Sequence, residues 1–265
     1  MSDDRLRALE QAWRKSGAPV DEAAWLRERA RSGDPTLGRI TFPGNPWPGG
    51  HRLEELTWSG RLTERGVWFD LELKTVHYDA DDPPGADDDD GGGSGDWQAR
   101  IVWGNYHRCT ISSNTGVLVG TEAEPLDLDR LEEREWSVDP MGPDTTAADL
   151  EHDDLAFHVY LLGHDMVADH RLRFAPREDP SSWWLRWSGR VALTYAGHDA
   201  FEHTFELSPT LVRFEGIKVQ IGPGGEAEAR ARLARFVARP DAWHFGQHQG
   251  TWAWFCPEQP TSSRS

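Results

Sequence analysis

The sequence predicts a mainly β fold: an antiparallel sandwich or barrel built from two related halves, with an N-terminal αα-hairpin and a C-terminal helix packed outside. Three observations predict it. The phrase Leu56-Thr57-Trp58-Ser59-Gly60-Arg61-Leu62 returns as Leu185-Arg186-Trp187-Ser188-Gly189-Arg190-Val191. Each copy opens a run in which apolar and polar residues alternate, the pattern of a strand with one buried face. Turn residues punctuate these runs at short spacing, at Arg65-Gly66, Asn114-Thr115-Gly116, Gly163-His164-Asp165 and Gly197-His198-Asp199. A shared tetrapeptide alone is weak support for duplication. The leucine two places before each tryptophan, the aliphatic residue after each arginine, and the later Leu71-Glu72-Leu73 and Phe205-Glu206-Leu207 strengthen it.

Residues 1–34 read as a helical hairpin. Asp3 or Asp4 caps a first helix with Leu6, Leu9 and Trp13 on one side, and Gly17 and Pro19 end it. Asp21 caps a second, with Ala24, Trp25 and Leu26 apolar, and Gly33 stops it. The stretch Leu9-Glu10-Gln11-Ala12-Trp13-Arg14-Lys15-Ser16-Gly17, followed by Glu22-Ala23-Ala24-Trp25-Leu26-Arg27-Glu28-Arg29-Ala30-Arg31-Ser32-Gly33, resembles a short helical module (residues 5–33) that heads uncharacterised proteins of myxobacteria. The likeness stops at Gly33, where Asp34-Pro35 replaces a further helix. It implies an accessory or adaptor element and no catalytic activity.

Residues 35–122 form the expected first β unit. The Pro/Gly-rich loop 43–50 holds Trp47 as an anchor, and Val67, Phe69, Leu71 and Leu73 share the inward face of the strand after Arg65-Gly66. The segment 79–96, with its aspartates at 87–90, cannot bury apolar area and reads as a disordered loop. Its contiguous aspartates lack the alternate spacing of a calcium loop. Residues 97–111 read as a strand with Ala99, Ile101, Trp103, Cys109 and Ile111 on one face, and 123–150 as a linker. The second β unit, 151–222, contains strands over 155–162, 166–174, 183–195, 200–207 and 211–221, with a bulge at Gly216. Residues 223–265 hold a helix over 226–238, with the stripe Ala229, Leu233, Phe236 and Val237 and the pairs Glu226–Arg230 and Glu228–Arg232, and then an aromatic tail.

Composition narrows function. A net charge of -17 disfavours nucleic-acid phosphate as a partner. No apolar run is long enough for a membrane span and no signal peptide heads the chain, so a cytoplasmic protein is expected. Cys109 and Cys256 make no CxxC spacing and read as free thiols. GxSxG, HExxH and Walker A patterns are lacking, and Gly222-Pro223-Gly224-Gly225-Glu226-Ala227 has no following parallel strand to make it a dinucleotide turn. The expected function is therefore a non-catalytic cytoplasmic binding or adaptor protein, without cofactor, whose acidic surface engages a basic protein partner. An immunity-type inhibitor of a basic toxin is one concrete form. With 14 tryptophans in the chain, Trp47, Trp58, Trp187, Trp243, Trp252 and Trp254 are the candidate binding residues. Two alternatives stand beside this reading. One is a metal-assisted hydrolase that takes His164, Asp165 and His170 from one Gly-His-Asp hairpin and His198, Asp199 and His203 from the other. The other is a small-ligand binder with a Trp-lined barrel.

Overall fold

A computed structural model of the chain describes residues 2–16, 21, 25, 38–81, 93, 95–176 and 182–257. The fold is mainly β. Its strands are β1 (Arg39–Thr41), β2 (His51–Leu62), β3 (Val67–Thr75), β4 (Thr110–Ser113), β5 (Val117–Gly120), β6 (Glu135–Val138), β7 (Phe157–Tyr160), β8 (His164–Pro176), β9 (Ser182–Ala192), β10 (His203–Gln220), β11 (Trp243–Gln249) and β12 (Trp252–Pro257). The helices are α1 (Ser2–Ser16), α2 (Arg100–Gly104) and α3 (Gly225–Leu233).

The pairings close into a ring. From β2 the order runs β3, β4, β7, β8, β9 and β10, each neighbour antiparallel, and β10 returns to β2 in parallel. An odd number of strands cannot alternate direction all the way round, so one parallel seam is required. Short β1 wedges into that seam, antiparallel to both β2 and β10. The hairpin of β11 and β12 extends from β10 beyond the end of its β9 pairing.

Bulges aim the side chains. Between Phe214 and Ile217, β10 advances three residues while β2 advances two, and Gly216 at φ 113° absorbs the extra one. Ile217 and Val219 consequently face the core and Lys218 faces out. A Cβ on Gly216 would lie 2.6 Å from the Phe255 carbonyl oxygen. Gly216→Ala is therefore expected to cost about 2–3 kcal/mol, read as a lower urea midpoint at constant slope; an unchanged midpoint would contradict the bulge. A second bulge in β8 puts Asp169 at φ 50° and turns His170 inward.

The interior is filled rather than hollow, as in other small barrels. Trp58 stacks on Phe174 at 4.4 Å and touches Phe214 at 4.5 Å and Phe69 at 4.9 Å. Trp187 lies 4.6 Å from Phe157, and its indole N–H donates to His170 Nδ1 at 3.3 Å. The two tryptophans occupy matching registers. Trp58 pairs with Leu71 and Gly60 with Phe69; Trp187 pairs with Leu207 and Gly189 with Phe205. The corresponding partner strands are thus Phe69-Asp70-Leu71 and Phe205-Glu206-Leu207, two residues from the alignment the sequence suggests.

Several expectations change. Residues 97–111 are not one strand: α2 forms over Arg100–Gly104, with Val102 and Trp103 buried and Ile101 43% exposed. The strands expected over 200–207 and 211–221 are one long strand, β10 (His203–Gln220), interrupted by a register shift where Pro209 removes a donor. Asn114-Thr115-Gly116 does not reverse the chain into a hairpin, because β4 and β5 both lie along β3. Segment 123–150 is folded: β6 pairs with β8, and Leu126 and Leu131 join the core. A flap over 139–155 covers outward-facing Met166, Ala168 and Ala192 with Ala147 and Leu155. The helix expected over 226–238 ends at Leu233; Glu226 pairs with Arg230, whereas Glu228 accepts from the Gly224 amide and Arg232 donates to the Gln220 carbonyl. Helix α1 packs through Leu6, Leu9 and Trp13 with Trp25 onto Trp184. The expected second helix lies, apart from Asp21 and Trp25, outside the described residues, as does the acidic stretch 82–92.

Candidate functional site

The two Gly-His-Asp turns meet at one end of the barrel. Gly163, at φ 132°, lets the chain pass so close to Tyr195 that a Cβ there would lie 2.3 Å from the ring. Asp165, fully buried, binds both turns: its carboxylate accepts from the Leu162 amide at 2.9 Å and from the Tyr195 amide at 3.3 Å. Burial raises its pKa, and these two backbone donors oppose the rise. Thr194 Oγ1 donates to the His164 carbonyl at 3.1 Å, and Gly197 in the left-handed region closes the turn before His198. The Asp199 carbonyl accepts from Ala147, so the second turn also holds the flap.

This bracing presents tyrosines. Tyr195 is 60% exposed. Tyr106, beyond α2, lies 6.1 Å from Tyr195 and 6.4 Å from Tyr160, and His164 packs edge-on to Tyr160 at 5.4 Å. Three of the four tyrosines in the chain therefore share one rim. The fourth, Tyr78, is buried beneath and donates to the Leu161 carbonyl at 3.2 Å. Desolvation raises the Tyr106 phenol, with the neighbouring Tyr195 adding to the shift, so Tyr106 keeps its O–H.

The surroundings are acidic. No lysine or arginine occurs from 135 to 170 or from 191 to 212. The flap and the second turn bring these two runs together through the Thr146–Ala200 bridge. Asp144, Asp149, Asp199 and Glu202 are exposed on them. Gly95 comes close to Ala196 beside the rim: a Cβ on it would lie 2.3 Å from that of Ala196.

The residues chosen from sequence scatter. Trp47, Trp58, Trp187 and Trp243 are buried in the core, which occupies them with packing. Trp252 is 41% exposed and Trp254 half-buried under Lys218, both on the outer hairpin away from the rim. Of the proposed metal ligands, His164, His198 and Asp199 are exposed, Asp165 is committed to backbone amides, and His170 is inside the barrel. His203 stacks on Trp97 at 4.0 Å, and burial lowers its pKa. Among the described residues, no three His, Cys, Asp or Glu side chains converge as a metal site would require. Cys109 and Cys256 are free thiols; Cys109 is buried and its pKa pushed up by desolvation, while His107 is exposed beside His77. Sequence reasoning missed Tyr106, Tyr160 and Tyr195. For Tyr160 and Tyr195 the two runs without lysine or arginine were the available signal. The chain matches no family model, no curated protein and no solved structure.

Proposed function

We propose that the protein is a non-catalytic binding module whose tyrosine rim docks onto a basic protein partner. The observation that carries this reading is the exposed Tyr195, grouped with Tyr106 and Tyr160, with Tyr160 and Tyr195 lying in the two runs that hold no lysine or arginine. Tyrosine supplies large, rigid contact area with a hydrogen-bonding tip and little entropy to lose, which suits it to the centre of an interface. The surrounding carboxylates would steer a cationic surface and set its orientation. On this reading the buried Asp165 holds the contact residues in place before binding, which lowers the ordering cost of association.

The matching registers of Trp58 and Trp187 support a further part of the proposal, that the β2–β3 and β9–β10 hairpins descend from one duplicated unit. The second hairpin has gained the Tyr195 turn between its strands, where the first has only residues 63–66.

Affinity capture from the native cell with three baits tests the docking reading. The wild-type chain should retain a stoichiometric basic protein, and retention should weaken with salt. Tyr195→Ala and Asp199→Lys should each reduce it by about tenfold or more. Equal retention by all three baits, or an acidic partner, would contradict the proposal.

A further inference from the structure

Away from the tyrosine rim, the outer barrel wall carries a cross-strand row. Trp68 on β3 lies opposite Arg61 on β2, Arg61 opposite Lys218 on β10, and Lys218 opposite Trp254 on β12. Arg61 and Arg65 each sit 5.6 Å from the Trp68 ring centre, and Lys218 Nζ sits 4.9 Å from that of Trp254. At Trp68 the row opens into a groove of about 700 Å3 whose walls include Thr63, Asn114 and Asp154. Asn114 follows the Ser113 end of β4, whereas Thr110 at the other end pairs with Tyr160 of the rim. The groove and the rim are therefore separate surfaces.

The chemistry of the wall selects a ligand class. Arg61 is matched internally, its Nε donating to Asp70 Oδ1 at 3.0 Å and its Nη2 to the Thr115 carbonyl. The groove lining holds two arginines and two carboxylates, Glu64 and Asp154, and so has no net charge. In a chain of net charge -17, a polyanion gains little there. The half-buried Trp68 has its indole N–H already bonded to Thr63 Oγ1 at 3.1 Å, leaving apolar ring surface bordered by closely spaced donors and acceptors. A polyol has the complementary two-sided character, with C–H faces for the ring and hydroxyls that both donate and accept.

We propose that the Trp68 groove binds a neutral oligosaccharide, whose chain continues along the row toward Trp254. The two rings are three strand spacings apart, about 14 Å, which accommodates several sugar units. This site is independent of the protein-docking rim.

Isothermal titration with chitopentaose, cellopentaose, maltopentaose and, as an acidic control, pentagalacturonate tests the proposal. At least one neutral pentamer should bind, with affinity reduced about tenfold or more by Trp68→Ala or Arg65→Ala. Arg65 is exposed, so its variant keeps the test valid if Trp68→Ala fails to fold. Trp254→Ala should weaken the pentamer while leaving the corresponding disaccharide unaffected, and Tyr195→Ala should change neither. The proposal is overturned if no neutral pentamer binds at millimolar concentration, if only the acidic one binds, or if the Arg65 and Trp68 variants both bind as wild type.

Discussion

Trp58→Ala and Trp187→Ala should each destabilise the protein by about 3–5 kcal/mol. Both side chains are inaccessible to solvent, and each touches rings from several strands across the barrel. Truncation removes the transfer energy of an indole and leaves a cavity that interlocked Phe174, Phe214, Phe157 and Phe205 cannot collapse to fill. Replacing Trp187 also leaves His170 Nδ1 without its donor, whereas Trp58 Nε1 has no hydrogen-bond partner to lose among the described residues. A small domain has only about 5–15 kcal/mol in hand, so either variant should melt far earlier than wild type. Arg61→Ala should cost much less, about 1 kcal/mol, because its ion pair with Asp70 is partly solvated. Chemical denaturation of the single mutants checks these values, and a near-silent change at either tryptophan would contradict the packing around it.

The second large effect is acid sensitivity. Burial lowers the pKa of His170 from 6.5 to about 3, with only a weaker opposing pull from the Val167 backbone. Above pH 6.5 both folded and unfolded chains hold this imidazole neutral, and it adds no pH dependence. Between pH 6.5 and 3 the unfolded chain takes up a proton that the folded chain refuses, so stability falls as pH falls, by about 1.4 kcal/mol per pH unit. Asp165, Asp139 and Asp70 have raised pKa values caused first by desolvation and work in the opposite sense at the acid end of the range. A difference between proteins cancels them. His170→Gln keeps an acceptor for Trp187 and does not titrate. Its stability should therefore fall less steeply between pH 6.5 and 4.5, and equal slopes would show that His170 is not the buried neutral group described.

Local pattern made the β2–β3 hairpin legible: Val67, Phe69, Leu71 and Leu73 alternate with polar residues, and all four are buried. The same pattern misled over residues 97–111. Ala99, Ile101 and Trp103 alternate by coincidence, whereas Ala99, Val102 and Trp103 form a helical face, announced by the Asp96 side chain accepting from the Gln98 amide. Barrel closure was illegible because it depends on a parallel contact between strands distant in sequence and on the three-residue wedge β1. At the candidate site, both Gly-His-Asp turns could be read as turns. Their carboxylates could not be assigned from spacing: Asp165 points to two backbone amides, and one of those belongs to a turn thirty residues away. Tyr106 reaches the rim only through α2, which the alternation had concealed.

A photo-cross-linking residue placed at position 195, with a second protein carrying it at position 252, would test the docking face most directly in the native cell. Both sites are exposed, so neither substitution should disturb the fold. The docking account predicts one dominant adduct from position 195, formed with a basic protein and suppressed by Asp199→Lys, and no adduct with that protein from position 252. An adduct formed only from position 252, or one from position 195 that Asp199→Lys leaves unchanged, would contradict it.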